Sequence, residues 1–363
     1  MKPQKATSGQ LRQHNRQLLL RAVQSGLADN RAALSQVTGL AKPTVSDLIG
    51  ELLDEGLLIE TGHGKSAEGG GKRPRLLEFV PDARQVIGVS VSHSAIRGIL
   101  TNLNGQISAQ HYSLPNGSLL NDLICVVNGL VAQLDAPLLC IGVGVPGKEE
   151  LPQTLETKLA EHFDVPVYIG NNTELAAVAQ FAFGAASEAD SLVTVLVNRG
   201  VEVGYVLGGS AYHSGGDIGE LRLDNGLPLE ALLSWSYIYE RACQLLEECP
   251  HSHLSLDDLS YLTIQHAALN GDACALTLQG EIAAHLGHIF AWIIALLKPE
   301  HISLAGNITD MGTALLAQAI EEAKRHFPTQ RIQQVAFSLA TASTLSATGA
   351  VAQALQQELG LNG

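Results

Sequence analysis

Two helical patterns near the N-terminus meet at Thr38-Gly39-Leu40, and so short a connection leaves them few ways to pack. Asn30 is a good N-cap for the first, which carries Ala32, Ala33, Leu34 and Val37, and Gly39 supplies the tight turn. The second opens on Lys42-Pro43-Thr44, where proline suits an early helical position, and sets Val45, Leu48, Ile49, Leu52 and Leu53 on one face before Gly56. Its other face offers Lys42, Thr44, Ser46, Asp47 and Glu51. An earlier helix over 14–25 places Leu18, Leu19, Ala22 and Val23 at helical spacing. Strand patterns at 57–61 and 75–80 enclose a flexible loop, 62–71, and a basic tip, Lys72-Arg73-Pro74-Arg75. This order predicts a winged helix-turn-helix over 1–83. Lys42, Thr44 and Ser46 would reach the major groove beside Asp47, and Arg73 and Arg75 would meet phosphate or the minor groove. Asp47 and Glu51 would repel phosphate, which makes dimerisation the expected remedy for modest affinity. The alternative is a helical hairpin that merely packs on the rest of the chain.

Charge follows the same division. Residues 1–84 hold 12 Lys and Arg against 9 Asp and Glu, leaving 10 against 27 in the remainder, so a head of +3 sits on a body of −17 within a chain of −14. Such asymmetry suits a nucleic-acid-facing module attached to a domain with another task. The 363 residues, at about 100–200 per domain, allow two or three packed units. Five scattered cysteines fit reduced thiols better than a disulfide framework. The N-terminus lacks the apolar core of a secretory signal, and the most apolar helical stretch, 289–297, is too short to span a bilayer, so the chain is expected in the cytoplasm with no membrane partner.

Beyond residue 84, apolar runs at 85–91, 96–103, 138–145, 166–169, 192–197, 203–207 and 301–304 alternate with helical stretches at 119–134, 173–183 and 279–297. The pattern is α/β with mixed sheets, arranged as two lobes around a cleft.

Four segments in this order carry a resemblance: Gly142-Val143-Gly144-Val145-Pro146-Gly147, Gly170-Asn171-Asn172-Thr173-Glu174, Gly215-Gly216-Asp217-Ile218-Gly219-Glu220 and Leu304-Ala305-Gly306-Asn307. With the head, they resemble the ROK family of sugar-responsive repressors and sugar kinases. The resemblance implies a winged helix-turn-helix followed by a two-lobed, actin/hexokinase-like (ribonuclease-H-like) body. It also implies a first lobe over 84–185, completed by a C-terminal helix at 345–360, and a second lobe over 186–344.

The departures from that family decide the expected chemistry. Its kinases carry Asp-x-Gly-Gly-Thr on the first strand of the body, where this chain reads Val89-Ser90-Val91-Ser92-His93-Ser94 and offers no glycine cradle for phosphate. Where they carry Asn-Asp, this chain has Asn171-Asn172, and a carboxamide has no useful basicity at neutral pH. Asn171 and Asn172 could equally cap the helix that follows. The family's Glu-x-Gly-His becomes Asp217-Ile218-Gly219-Glu220, and its cysteine loop is deleted, so no zinc site of that type can form. The resemblance places Glu230 where a sugar-contacting carboxylate would fall. Asn171, Asn172, Asp217, Glu220 and Glu230 would then line a site suited to a polyhydroxyl ligand, or stand as solvated residues around a vestigial one.

Two further groups carry less. Cys243, Cys249, His251 and His253 have zinc-ligand chemistry at a spacing that fits no common site, and His285 and His288 read as packed core or interface residues. The expectation is a DNA-binding transcriptional regulator, a repressor acting as a homodimer or dimer of dimers on inverted-repeat double-stranded DNA. A sugar or sugar phosphate would be its effector, with no cofactor and no catalytic residue. The competing readings are a sugar kinase with an added head and a regulator controlled by a protein partner.

Overall fold

Each helix of the head starts or stops where local chemistry favours it. In the computed structural model, which describes residues 8–64, 73–146, 154–187, 189–198, 200–208, 210–212, 218–223, 226–249, 251–340 and 343–361, the head opens with α1 (Ser8–Gln24), α2 (Arg31–Thr38) and α3 (Lys42–Asp54). Asn30 Oδ1 accepts the N–H groups of Ala32 and Ala33 at 3.1 and 3.0 Å, satisfying two donors that the helix cannot. Gly39 ends α2 in the left-handed region, at φ 70°, with its N–H on the Ser35 carbonyl. Replacing Asn30 by Ala should cost about 1 kcal/mol of head stability in denaturant titrations. A change within experimental error would show that the cap is idle.

α1 begins six residues earlier than its apolar pattern suggests, and it buries Leu19, Leu20, Ala22 and Val23 rather than Leu18. Three consecutive leucines leave the register of that face open, and packing against α2 and α3 selects it. A two-stranded antiparallel hairpin follows, β1 (Leu58–His63) with β2 (Arg75–Phe79).

The chain folds into two compact units, 1–143 with 150–169 and 350–363, and 144–149 with 170–349. The first contains the head, β3 (Gln85–Val91), β4 (Ile96–Asn102), β5 (Ile107–Ser113), α4 (Leu119–Val131), most of β6 (Leu138–Val145), α5 (Leu155–Phe163) and the start of β7 (Val167–Asn171). Its sheet runs in the order β5-β4-β3-β6-β7.

The second unit holds α6 (Asn172–Ala182), β8 (Ser191–Val197), β9 (Val201–Leu207), β10 (Ser210–Tyr212), α7 (Leu229–Leu232), α8 (Trp235–Glu248), α9 (Tyr261–Leu269), α10 (Ala273–Leu297), β11 (His301–Ala305), α11 (Gly312–His326), α12 (Thr329–Ile332), β12 (Ala336–Ala340) and the first turn of α13 (Leu345–Leu359). Its sheet order, β10-β9-β8-β11-β12, repeats that of the first unit strand for strand. In it β8, β9 and β10 form an antiparallel meander, while β11 lies parallel to both β8 and β12.

The expected limit on apolar helix length does not hold. α10 has 25 residues and is long and apolar enough to cross a bilayer by length and composition. Asp272 Oδ1 accepts the Ala275 N–H and starts this helix well before the expected residue 279. Thirteen of its residues are buried, and ten of these, among them Leu278, Ile282, Leu286 and Phe290, belong to the core of the second unit, which accounts for the apolar length.

Candidate nucleic-acid interface and ligand site

Between α2 and α3 the turn is closed by side chains. Ser35 Oγ donates to the Leu40 carbonyl at 2.7 Å and Thr38 Oγ1 to the Leu34 carbonyl at 2.6 Å. The inner face of α3 buries Val45, Leu48, Ile49 and Leu52. Lys42, Ser46 and Asp47 are exposed on the opposite side, with Thr44 half-buried beside them. Glu51, expected to repel phosphate, instead pairs with Arg12 of α1, and Glu55 pairs with Arg16. These pairs neutralise part of the acidity on the α3 flank and fix α1 to α3.

The hairpin divides its cations. Arg73 is exposed, and Lys72 lies outside the described residues. Arg75, expected on phosphate, pairs with Glu60, which also holds Arg31 of α2 at 2.8 Å. The bonds from Arg31 and Arg75 hold the Glu60 carboxyl below its ordinary range. A carboxylate lowered in this way stabilises the fold above its unfolded pKa of about 4.3 and loses that contribution as pH falls toward the lower folded value. Loosening of the hairpin is therefore expected only below about pH 4. Amide exchange at 58–63 that increases between pH 7 and 5 would contradict this.

In the second unit two of the family-like segments, through Gly144 and through Asn171–Glu174, meet at the start of α6. Asn171 caps the helix, its Oδ1 accepting the Thr173 N–H at 2.7 Å and the Glu174 N–H at 3.4 Å. Three glycines approach this first turn so closely that a side chain would not fit. A Cβ on Gly144 would lie 2.5 Å from Asn172 Oδ1, one on Gly204 would strike the Thr173 carbonyl, and one on Gly349 the Leu175 carbonyl. Ser346 Oγ donates to the Asn172 carbonyl at 2.9 Å, and Thr173 Oγ1 bonds Glu202. Asn171 and Asn172, both half-buried, are thus held in a tightly packed frame.

The turn that carries Glu220 packs against α7, which carries Glu230. A bridge between Arg222 and Pro228 folds the 3-10 turn Ile218–Glu220 against α7. A Cβ on Gly219 would lie 3.1 Å from Glu230 Cβ, and one on Gly200 would lie 3.3 Å from Glu230 Oε2. Glu230 is half-buried and Glu220 exposed. Asp217 lies outside the described residues. Asn198, which no motif flagged, accepts the Asn307 N–H at 3.0 Å and sits where a Cβ on Gly306 would lie 2.8 Å from its Oδ1.

In the first unit, the Ser92–Ala95 segment that follows β3 is a tight turn. The Ser92 N–H donates to the Ala95 carbonyl at 2.9 Å, and the Ala95 N–H donates to Ser92 Oγ at 3.1 Å. Two backbone donors that could face an anion are spent inside the turn.

A family model described as "ROK family" matches residues 149–357, more than half of the sequence. The chain belongs to the ROK family. Along its length it is 28% identical over 324 residues to the xylose repressor of Bacillus subtilis, which covers 82% of this chain and 83% of the relative. Its fold matches a solved ROK family transcriptional regulator, a homologue of the E. coli Mlc protein, at a TM-score of 0.82 and 19% identity, covering 96% and 98% of the two chains. A ROK family glucokinase from Streptomyces griseus, solved with glucose and AMPPNP, matches at a TM-score of 0.64 and 18% identity over 75% of this chain and 99% of its own. The body is therefore an α/β ROK fold of the actin/hexokinase type. Nearly the whole kinase is matched while about a quarter of this chain lies outside the match, a share the size of the head.

The remaining polar groups of this ROK chain have structural settings. Cys243 lies on α8 and Cys249 caps its end. His288 Nδ1–H donates to the Ala284 carbonyl, 2.8 Å away, and its ring lies 3.8 Å from that of His326, so it packs between α10 and α11. Burial, then the neighbouring His288, pushes His285 below the usual histidine range.

Proposed function

We propose that this ROK protein is a sequence-specific DNA-binding transcriptional repressor whose body senses a sugar-like effector instead of phosphorylating it. The observation that carries this reading is the head: two helices joined through Gly39, with Lys42, Thr44 and Ser46 turned outward on α3, in a chain similar along most of its length to a repressor. Such an arrangement suits a recognition helix in the major groove, with the β1–β2 hairpin as the wing. Residues 1–83 are then a winged helix-turn-helix, 84–185 with 345–360 a first lobe, and 186–344 a second. Asp47 gives a single head modest affinity, so a homodimer or dimer of dimers on an inverted repeat follows, working in the cytoplasm.

Asn171, Asn172, Asp217, Glu220 and Glu230 form the effector site in this reading, their acceptors pairing with sugar hydroxyls. The kinase alternative needs a general base and a phosphate cradle. Asn172 and the closed Ser92–Ala95 turn argue against both. Even Asn172→Asp should leave coupled ADP release at background, because the cradle is still missing. Sugar-dependent turnover in either form would return the chain to the kinases.

Thermal-shift screening of pentoses, hexoses, N-acetylhexosamines and their phosphates tests the effector site directly. A ligand at 100 times its Kd adds about 2.7 kcal/mol of stability. Glu230→Ala should abolish that shift while leaving DNA affinity unchanged. A shift that survives in Glu230→Ala, or that no sugar produces in the parent chain, would remove these residues from an effector role.

A further inference from the structure

Two arginines of the head converge on one carboxylate from different elements. Arg31 opens α2, and its Nη1 donates to Glu60 Oε1 at 2.8 Å. Arg75 opens β2, and its Nη1 donates to the other oxygen, Glu60 Oε2. Glu60 faces Leu77 across the hairpin, which sets Arg75 diagonally beside it on the same face. Glu60 is half-buried between the two guanidinium groups, whereas Arg75 is exposed and Arg31 partly open to solvent. Backbone bonds fix both arms independently of these side chains. The Leu77 N–H donates to the Asp29 carbonyl at 2.7 Å, which ties β2 to the entry of α2, and the Gly64 N–H donates to the Pro74 carbonyl at 2.8 Å, next to Arg75. The end of α2 offers no free donors of its own here, since Asn30 Oδ1 already takes the Ala32 and Ala33 N–H groups. The anion is held by side chains.

We propose that Arg31 and Arg75 form a seat for one DNA backbone phosphate, that Glu60 fills this seat in the free chain, and that its displacement limits how tightly every duplex is held. Guanidinium forks match phosphate and carboxylate alike, and a phosphodiester resembles a carboxylate in carrying one negative charge over two free oxygens. Two forks, each on its own oxygen of one anion, therefore suit either occupant. An exposed ion pair is weak and screened by salt, so a phosphate can replace the carboxylate. While Glu60 is seated the two cations are masked, and they add little to the long-range attraction of the head for DNA. Arg31 carries no motif signal, and its place in the seat follows only from the fold of the hairpin onto α2.

The proposal rests on the reading of the head as the DNA-binding part. Filter binding of the full chain over a salt series, to a duplex enriched from a random pool and to its scrambled counterpart, tests it. Glu60→Gln should tighten both duplexes alike, by about fivefold, and steepen the slope of log K against log salt by about 1 to 2, close to one for each freed cation. A Glu60 that served only the fold would do the opposite on substitution: binding would weaken and amide exchange at 58–63 would rise. Glu78→Gln removes one exposed charge from the same hairpin and should move the slope by less than about 0.5. Adding Arg31→Ala to Glu60→Gln should cancel most of the gain, whereas Arg31→Ala alone should change affinity by less than about twofold, because that cation is already masked. Glu60→Thr, which keeps a residue suited to a strand, guards against a local loss of pairing. If the parent chain holds duplex and neither neutral variant of Glu60 tightens it, the seat is overturned and the DNA reading stands. A gain that Glu78→Gln reproduces would also overturn it, since net charge alone would then suffice. A parent chain that holds no duplex at any salt would defeat both.

Discussion

Thr44→Ala combined with Ser46→Ala should lower the ratio of specific to non-specific DNA affinity by at least about 30-fold while leaving the fold intact. Ser46 is exposed and Thr44 half-buried on the outer face of α3, so neither truncation opens the head core. Each base-edge contact that discriminates is worth about 1–3 kcal/mol, and two at the low end already give that ratio. Phosphate contacts behave differently, because they weaken all sequences alike and set the salt dependence. Arg73→Ala should therefore reduce affinity evenly and flatten the salt slope by about 1. Arg75→Ala should act mainly through the hairpin, since its guanidinium is engaged by Glu60. If competition binding shows the double variant as selective as the parent chain, α3 is not the reading helix.

Leu48→Ala should be the most damaging conservative change in the head. Leu48 is 1% exposed, at the centre of a core built by Leu19, Leu20, Leu34, Val45, Ile49 and Leu52. Truncating a buried leucine costs about 2–5 kcal/mol through lost burial and the cavity left behind. That is a large part of the about 5–15 kcal/mol by which a folded domain is usually stable. Exchange protection across 31–58 should collapse and DNA binding should fall with it, while protection of α10 in the second unit stays as in the parent. Parent-like protection in the head would mean that the ion pairs to α1, rather than its own core, hold it together.

Much of this arrangement is legible from the residues because it is fixed locally. Asn30, Gly39 and Pro43 mark helix ends by their own backbone and side-chain chemistry, and the structure uses each of them there. What could not be read depends on partners far along the chain. β5 is a half-exposed edge strand with polar residues at most positions, so alternation alone does not separate it from a loop. The true start of α10 is set by the Asp272 cap, which sits in a stretch without strong apolar periodicity. In the ligand region Asn171 could be recognised as a cap, but the contacts of Ser346, Gly204 and Gly349 around Asn172 join segments up to 174 residues apart, and no spacing rule foresees them. The pairing of Arg75 is hidden for the same reason: it depends on Glu60 across the hairpin, which also holds Arg31 on α2.

The central claim is that the head of this ROK chain reads DNA and the body answers to a small molecule without catalysis. Fluorescence anisotropy of the full chain on a duplex enriched from a random pool, titrated in the presence and absence of each sugar and sugar phosphate, measures both halves at once. The account predicts an inverted-repeat duplex bound with a Kd of about 10⁻⁸–10⁻¹¹ M at physiological salt, and one compound that weakens it tenfold or more without being consumed. By linkage the same compound should bind the DNA complex more weakly by the same factor. A chain that enriches no sequence from the pool, yet phosphorylates the sugar it is given, would contradict the account at its root.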